Sequence, residues 1–261
     1  MRHYWNIYKT FFKSSLLREM QFRANFFAKI LQNCTWIVFS LVAISVIFGR
    51  VDSIAGWARG EIQILVGTLF LVSALVNLFT FAVMEIPQHV RQGTLDFIIT
   101  KPVDTQFWVS VRKFNFAQLG SFTAGIITLI VSAVVAKMTI TPLQIVLYIV
   151  SVLCGWTALY SFQMLLMTTG IYFVRVDNMW VLGETIVRLG EHPMEIFPLL
   201  FRQFLTYGIP VAFFAYVPAI QLTRGADFGL LLGSLVAASA MFLLSRLWWK
   251  FSLRHYSSAS S

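Results

Sequence analysis

Six long apolar runs, separated by short stretches that hold nearly all the charge, constrain this chain more than any single motif. They are Ile30–Phe48, Ile62–Met84, Phe114–Ala136, Leu143–Val174, Phe204–Leu222 and Gly229–Leu247. About 20 mostly apolar residues carry a helix across a bilayer. Inside lipid, every backbone N–H and C=O must find a partner within the chain, which leaves helices or closed barrels. Continuous runs of this length select helices, so the expected fold is all-α: a polytopic membrane protein with six transmembrane helices. The overall make-up agrees, since 58% of the 261 residues are hydrophobic, 12% are charged and the mean hydropathy is +0.75. A soluble domain carries roughly 25% charged residues. The 25 Phe and 8 Trp suit lipid-facing and interfacial positions. The fourth run is long enough to project beyond the bilayer. The fifth holds Gly208, Pro210 and Pro218 and should be kinked or broken.

Six crossings put both termini on one side, and the distribution of Lys and Arg says which. Of the 20 basic residues, only Arg50, Arg59, Lys137 and Arg224 fall in the connections 49–61, 137–142 and 223–228. The rest lie in the N-terminal segment, the connections 85–113 and 175–203, and the C-terminal tail. The positive-inside bias therefore makes both termini cytoplasmic. The chain reads as one six-span domain, 1–261, with an N-terminal segment 1–29, cytoplasmic regions 85–113 and 175–203, and a cytoplasmic tail 248–261. The net charge of +9 is explained by this topology, with no need for nucleic acid. The N-terminal segment has no early apolar core or small-residue cleavage site of a signal peptide. It reads as a helix lying at the lipid interface, with Trp5, Tyr8, Phe12 and Leu16 on one stripe and Arg2, Lys9 and Lys13 beside it. Cys34 and Cys154 sit inside apolar runs as packing residues.

Several function classes lack their residues. No charged residue lies in the middle of any proposed span; the polar residues there are mostly Gln32, Asn33, Asn77, Asn115, Gln118 and Gln163. An ion-coupled transporter usually keeps an ionisable group in the membrane for its relay. HExxH, GxSxG and CxxC are absent, and the four histidines are scattered, so the chain is not expected to be an enzyme or to need a cofactor. Glu191–His192–Pro193 reads as a solvated loop rather than a metal site. Without GxxxxGK[ST], the chain has no P-loop of its own, and any ATP driving it is bound by another polypeptide.

Between the second and third runs stands "RQGTLDFIITKPVD", Arg91 to Asp104. Gly93 can end the preceding helix. Thr94 can cap a short helix over Leu95–Thr100, with Asp96 in its first turn. Lys101 follows the last turn and Pro102 stops it. Asp104 or Thr105 can then cap the next helix, "QFWVSVRKF". With Leu95, Phe97, Ile98 and Ile99, the short helix is too apolar for free solvent and too short to cross a membrane. It packs either as a re-entrant turn on the chain's own helices or as a knob on a cytosolic partner.

This R-x-G-T-L-D segment with its apolar run and Lys101–Pro102, placed between the second and third of six spans, resembles the first cytoplasmic coupling region of ABC-2-type ATP-binding-cassette permeases. "HPMEIFPLLFRQFLTYGIPVAFFAYVPAIQLTRG", His192 to Gly225, is similar to the fifth-span region of a bacterial six-span subfamily of them. There a histidine- or tyrosine-proline, an internal I-P-V and a Y-x-P-A recur; here they are His192–Pro193, Ile209–Val211 and Tyr216–Ala219. The resemblance implies two permease subunits, this chain and a second copy or a similar chain, in the bacterial inner membrane above two cytosolic ABC ATPase subunits. Coupling helices would lie at Thr94–Thr100 and Val181–Leu189. It marks Arg91, Gly93, Thr94, Leu95, Asp96, Phe97, Ile98, Lys101 and Pro102, and then Trp180, Val181, Leu182 and Glu184, as ATPase-coupling candidates, with Leu95 and Phe97 docking. Gly208, Pro210, Tyr216 and Pro218 are candidates for the path or the dimer interface, or serve packing alone. The expected function is an exporter subunit, with a polytopic scaffold as the alternative. The absence of charge in the spans suggests a hydrophobic or amphipathic cargo, although aromatic faces can still hold a cation.

Overall fold

Helix boundaries in the computed structural model, which describes residues 2–172 and 177–256, follow local capping chemistry closely. Helix α8, Pro142–Thr169, opens on Thr141, whose Oγ1 accepts from the Gln144 amide at 3.3 Å while Gln144 Oε1 accepts from the Thr141 amide at 2.8 Å. Pro142 fills the first turn, where no N–H is needed. Helix α12, Phe228–Arg254, opens on Asp227, whose Oδ1 accepts from the Leu230 amide at 3.0 Å. These two join α1 (Arg2–Gln21), α2 (Arg23–Ile47), α3 (Arg59–Thr80), α4 (Ile86–Arg91), α5 (Asp96–Ile99), α6 (Thr105–Val111) and α7 (Leu119–Val135). The set is completed by α9 (Asp177–Arg188), α10 (Leu199–Gln203) and α11 (Tyr216–Thr223). No strand occurs among the described residues. The expected end of the fourth span at Val174, the start of the second connection at Arg175 and the tail beyond Tyr256 lie outside them.

Among the described residues, five helices are long and apolar enough to cross a membrane: α2, α3 with its continuation to Arg91, α7 with its lead-in turn, α8 and α12. Helices α3 and α8 form the centre. Ile64, Leu65, Val72 and Val76 of α3 and Ala158 and Leu159 of α8 are fully or almost fully buried in one cluster. Helices α8 and α12 pack most extensively, followed by α3 and α7. The α3–α7 seam closes on Gly67 and Gly125, where a Cβ on Gly125 would stand 3.1 Å from the Gly67 carbonyl. Such small-residue seams bring membrane helices into van der Waals contact. Helices α2 and α12 expose apolar faces, including Leu31, Phe39 and Val46, and Leu232, Val236 and Leu247.

The fifth expected span differs. Phe204–Leu222 is not one helix: a π-helical turn over Phe204–Gly208 breaks at Ile209–Pro210, a 3-10 turn spans Val211–Phe213, and α11 follows. Pro210 and Pro218 lack the N–H that a continuous helix would use. The segment dips and returns. Leu199 and Arg202 line one cavity with Gly229 and Leu230 at the start of α12, Gly208 and Ile209 line another with Leu166 and Trp248, and the Leu222 carbonyl accepts from Gln144 at the start of α8. Its turn seats against mid-α8 at Gly155, where an added Cβ would stand 2.8 Å from the carbonyls of both Phe213 and Phe214.

The connection 175–203 differs too. Gly183 of α9 lies against Leu166 near the end of α8, yet Glu195 contacts Trp57 and Arg224 in the loops at the other end of the bundle. Residues 177–195 therefore run the length of the bundle instead of staying at one end. Hydropathy did not show this, because α9 carries Glu184, Arg188 and Glu191 within its length and just beyond.

Helix α1 lies against the protein through one edge of its aromatic face. Tyr8, Phe11 and Phe12 meet Phe114, Trp108 and Phe116 edge-on, and the Phe114 amide donates to buried Ser15 at 3.1 Å. Trp5 and Leu16 of the expected stripe are exposed.

Candidate functional site

The Arg91–Asp104 segment folds into a platform under α8 and α12. Gly93 takes φ +66°, a conformation open to glycine at little cost, and reverses the chain after α4. The Leu95 amide then donates back to the His89 carbonyl at 3.2 Å. Thr94 does not cap α5; its Oγ1 pairs with His89 Nδ1 at 2.7 Å, and α5 has no side-chain cap. Leu95 and Ile98 plug into a cluster with Val83, Ile86, Val109, Met164, Met167 and Trp249. Leu95 is 0% exposed, whereas Phe97, two residues on and across the one-turn helix, is 71% exposed. Of the two expected docking residues, Phe97 faces outward and Leu95 serves the chain's own core. Arg91, Lys101 and Pro102 are exposed and Asp96 is half-buried. The Lys101 ammonium lies 4.7 Å over the Trp108 ring.

Asp104 caps α6 as expected, accepting from the Phe107 amide at 2.9 Å. It also pairs with Arg246 of α12, whose Nη1 lies 2.7 Å from Oδ1. The hydrogen bond from Arg246 holds the Asp104 carboxyl below the usual carboxylate range, and the amide hydrogen bond from Phe107 acts in the same direction against partial burial. Trp249 Nε1 donates to Thr105 Oγ1 at 3.0 Å, Gln106 Nε2 donates to the Tyr160 hydroxyl at 3.2 Å, and Ser110 shares that hydroxyl at 2.8 Å. Glu85 pairs with both Arg112 and Lys113. The platform is thus fastened to α3, α8 and α12.

The second expected coupling group divides. Trp180, Val181 and Leu182 are all exposed, and Trp180 also lines, with Glu184, a cavity of about 490 Å³ among α2, α3, α7 and α9. Gln32, Trp36 and Ser73 line it with Arg188 and Glu191. Residues 180, 184, 187, 188 and 191 recur at helical spacing, so one face of α9 and its extension forms this wall. The expected spans keep no charge at their middles, but α9 and its extension bring two carboxylates and a guanidinium beside mid-helix residues of α2 and α3.

The path candidates are distributed over the hairpin. Gly208 lines a 310 Å³ cavity with Leu166, Thr169 and Trp248, while Pro210 and Pro218 are buried. The Tyr216 hydroxyl donates to Glu195 Oε1 at 2.7 Å. Trp57 Nε1 donates to Glu195 Oε2 at 3.2 Å, and Arg224 lies over the Trp57 ring at 4.5 Å with Glu61 and Glu195 at 3.9 and 3.7 Å. This clasp escaped the sequence reading. Its signal was a lone carboxylate inside the apolar stretch Met194–Phe197. Among the described residues, no group of His, Cys, Asp and Glu could hold a metal ion.

Residues 34–260 match the family described as ABC-2 family transporter protein. The chain has no match among curated proteins and none among solved structures.

Proposed function

The chain belongs to the ABC-2 transporter family, and from that premise we propose that it is the permease subunit of an ABC exporter in the bacterial inner membrane. It pairs with a second permease subunit, and a separate cytosolic ATPase supplies the energy. The observation that carries the coupling part is the contrast at α5: Leu95 and Ile98 anchor the turn, and Phe97 projects from it at 71% exposure. An exposed aromatic on a braced turn is the shape of a knob that seats in a partner's groove.

Both termini and the platform face the cytoplasm in this reading. Lys9, Lys13, Lys101, Arg112 and Lys250 gather at that end. The crossing between α8 and α12 is made by α9 and the chain up to Glu195, and residues 199–223 form a hairpin entering from the outer side. Broken helices of this kind are tolerated where protein covers the backbone. Burial of Val211, Ala212 and Phe214 provides that cover.

The test is purification of the tagged chain from its host in mild detergent, with identification of co-purifying chains and an assay of ATP hydrolysis. A P-loop ATPase whose activity depends on the permease is the expected result. A chain that arrives alone, or with a partner that hydrolyses no nucleotide, overturns the reading in favour of a scaffold.

A further inference from the structure

We propose that the cavity among α2, α3, α7 and α9 binds an organic monocation, and that this is the substrate class moved; the second half rests on the permease reading above. The cavity lies at mid-depth. Trp36 is near the centre of α2, and Leu69 and Ser73 are well inside α3. Glu184 and Glu191 line it from one helical face, with Arg188 between them, its guanidinium carbon 5.5 Å over the Trp36 ring.

Among the described residues, no hydrogen bond or ion pair engages either carboxylate. The comparably half-buried Glu61, Glu85, Asp104 and Glu195 are all engaged. Half-buried carboxylates with no close partner of their own, facing a cavity inside a membrane domain, mark ligand pathways.

The chemistry narrows the occupant. Two carboxylates against one guanidinium leave the site net negative, which disfavours an anion. Two carboxylates with no third His, Cys, Asp or Glu grouped with them among the described residues, and with a guanidinium between them, are a poor cage for a metal ion. Trp180 supplies an aromatic face that attracts a diffuse positive charge, beside a Trp36 ring that already holds the Arg188 guanidinium, while Gln32 and Asn33 offer hydrogen bonds around it. A cavity of about 490 Å³ falls in the range that encloses a drug-sized organic molecule.

The experiment measures equilibrium binding of tetraphenylphosphonium to the purified full chain in lipid nanodiscs. Tetraphenylborate, of the same shape and opposite charge, is the control. Saturable binding of the cation and none of the anion is expected. The variant Glu184→Gln/Glu191→Gln weakens the cation by about tenfold or more, and Arg188→Gln tightens it, because removing each charge changes the local field in opposite directions. A misfolded variant cannot produce the tightening. Equal binding of the two ions, or an unchanged affinity in the double variant, overturns the site; so does weaker binding in Arg188→Gln. ATP hydrolysis by the co-purified partner is read on parallel samples. Hydrolysis without cation binding removes the site and leaves the permease reading, whereas cation binding without any nucleotide-hydrolysing partner keeps the site and removes the transport half.

Discussion

Leu95 and Phe97 are two residues apart, both apolar, and indistinguishable as docking residues in the sequence; the structure gives them opposite fates on truncation. Phe97 is 71% exposed, so covering it removes on the order of 100–150 Å² from water. At about 25 cal/mol per Å² this is roughly 2.5–3.5 kcal/mol, of which part is lost to ordering the interface. Phe97→Ala should therefore leave the stability of the isolated chain within about 0.5 kcal/mol. It should weaken the ATPase complex by about 2 kcal/mol, or roughly 30-fold in Kd. Leu95→Ala removes a side chain that is 0% exposed and packed on Met164, Met167 and Trp249, and should cost about 2–5 kcal/mol of stability. The assays are detergent-induced unfolding of each variant alone, followed by titration of the ATPase onto nanodisc-held permease. An unchanged Kd and unchanged permease-dependent ATP hydrolysis in Phe97→Ala would refute the docking assignment. A Leu95→Ala variant as stable as the parent would refute the packing that separates the two residues.

Gly155→Ala places a methyl 2.8 Å from two backbone carbonyls and should destabilise by about 1–3 kcal/mol in detergent-induced unfolding; Gly233→Ala, with Phe213 at an ordinary 3.6 Å, should be neutral. In a variant whose two native cysteines are replaced, Ile196→Cys should react with a membrane-impermeant maleimide added outside intact cells, and labelling only after lysis would reverse the traced path of residues 177–195. The lowered Asp104 pKa stabilises the folded state fully above the unfolded Asp value of about 3.9 and ceases to do so as pH falls through the folded value. Asp104→Asn should accordingly be less stable at neutral pH and show a flatter stability profile below about pH 4; a parallel profile would show that the Arg246 pair contributes nothing.

Hydropathy made the helical class and five of the spans legible, because lipid-soluble length is a local property of the chain. The α6 cap at Asp104 and the glycine turn at Gly93 were legible for the same reason. The course of residues 177–223 was not. Helix α9 and the turn after it alternate Trp180, Val181 and Leu182 with Glu184, Arg188 and Glu191, so averaging hides a segment whose polar face lines a cavity inside the bundle. Conversely, Phe204–Leu222 is apolar enough to count as a crossing, but its prolines turn it back on itself. Thr94 misled for a subtler reason. A hydroxyl beside a glycine turn has two nearby partners, and His89, brought back by that turn, supplied the closer one.

If Phe97 is the docking knob proposed above, what α5 rests on decides how a push on that ring would reach the spans. A single helical turn has no stiffness of its own; it is rigid because Leu95 and Ile98 are wedged beneath α8 and α12. Force on Phe97 passes into α6, and α6 is tied to α12 through Asp104–Arg246 and Thr105–Trp249 and to α8 through Ser110 and Gln106 on Tyr160. Helix α8 has 28 residues and no internal proline after its first turn, so it carries displacement along its length as a rod. At its middle, Gly155 touches the turn of the hairpin, and the hairpin's Tyr216 hydroxyl holds Glu195 beside Trp57 and Arg224. The platform and the clasp are thus opposite ends of one braced element. A shift of α8 large enough to unseat Phe213 and Phe214 from Gly155 should also pull on the Tyr216–Glu195 bond, because only Ala215 lies between Phe214 and Tyr216.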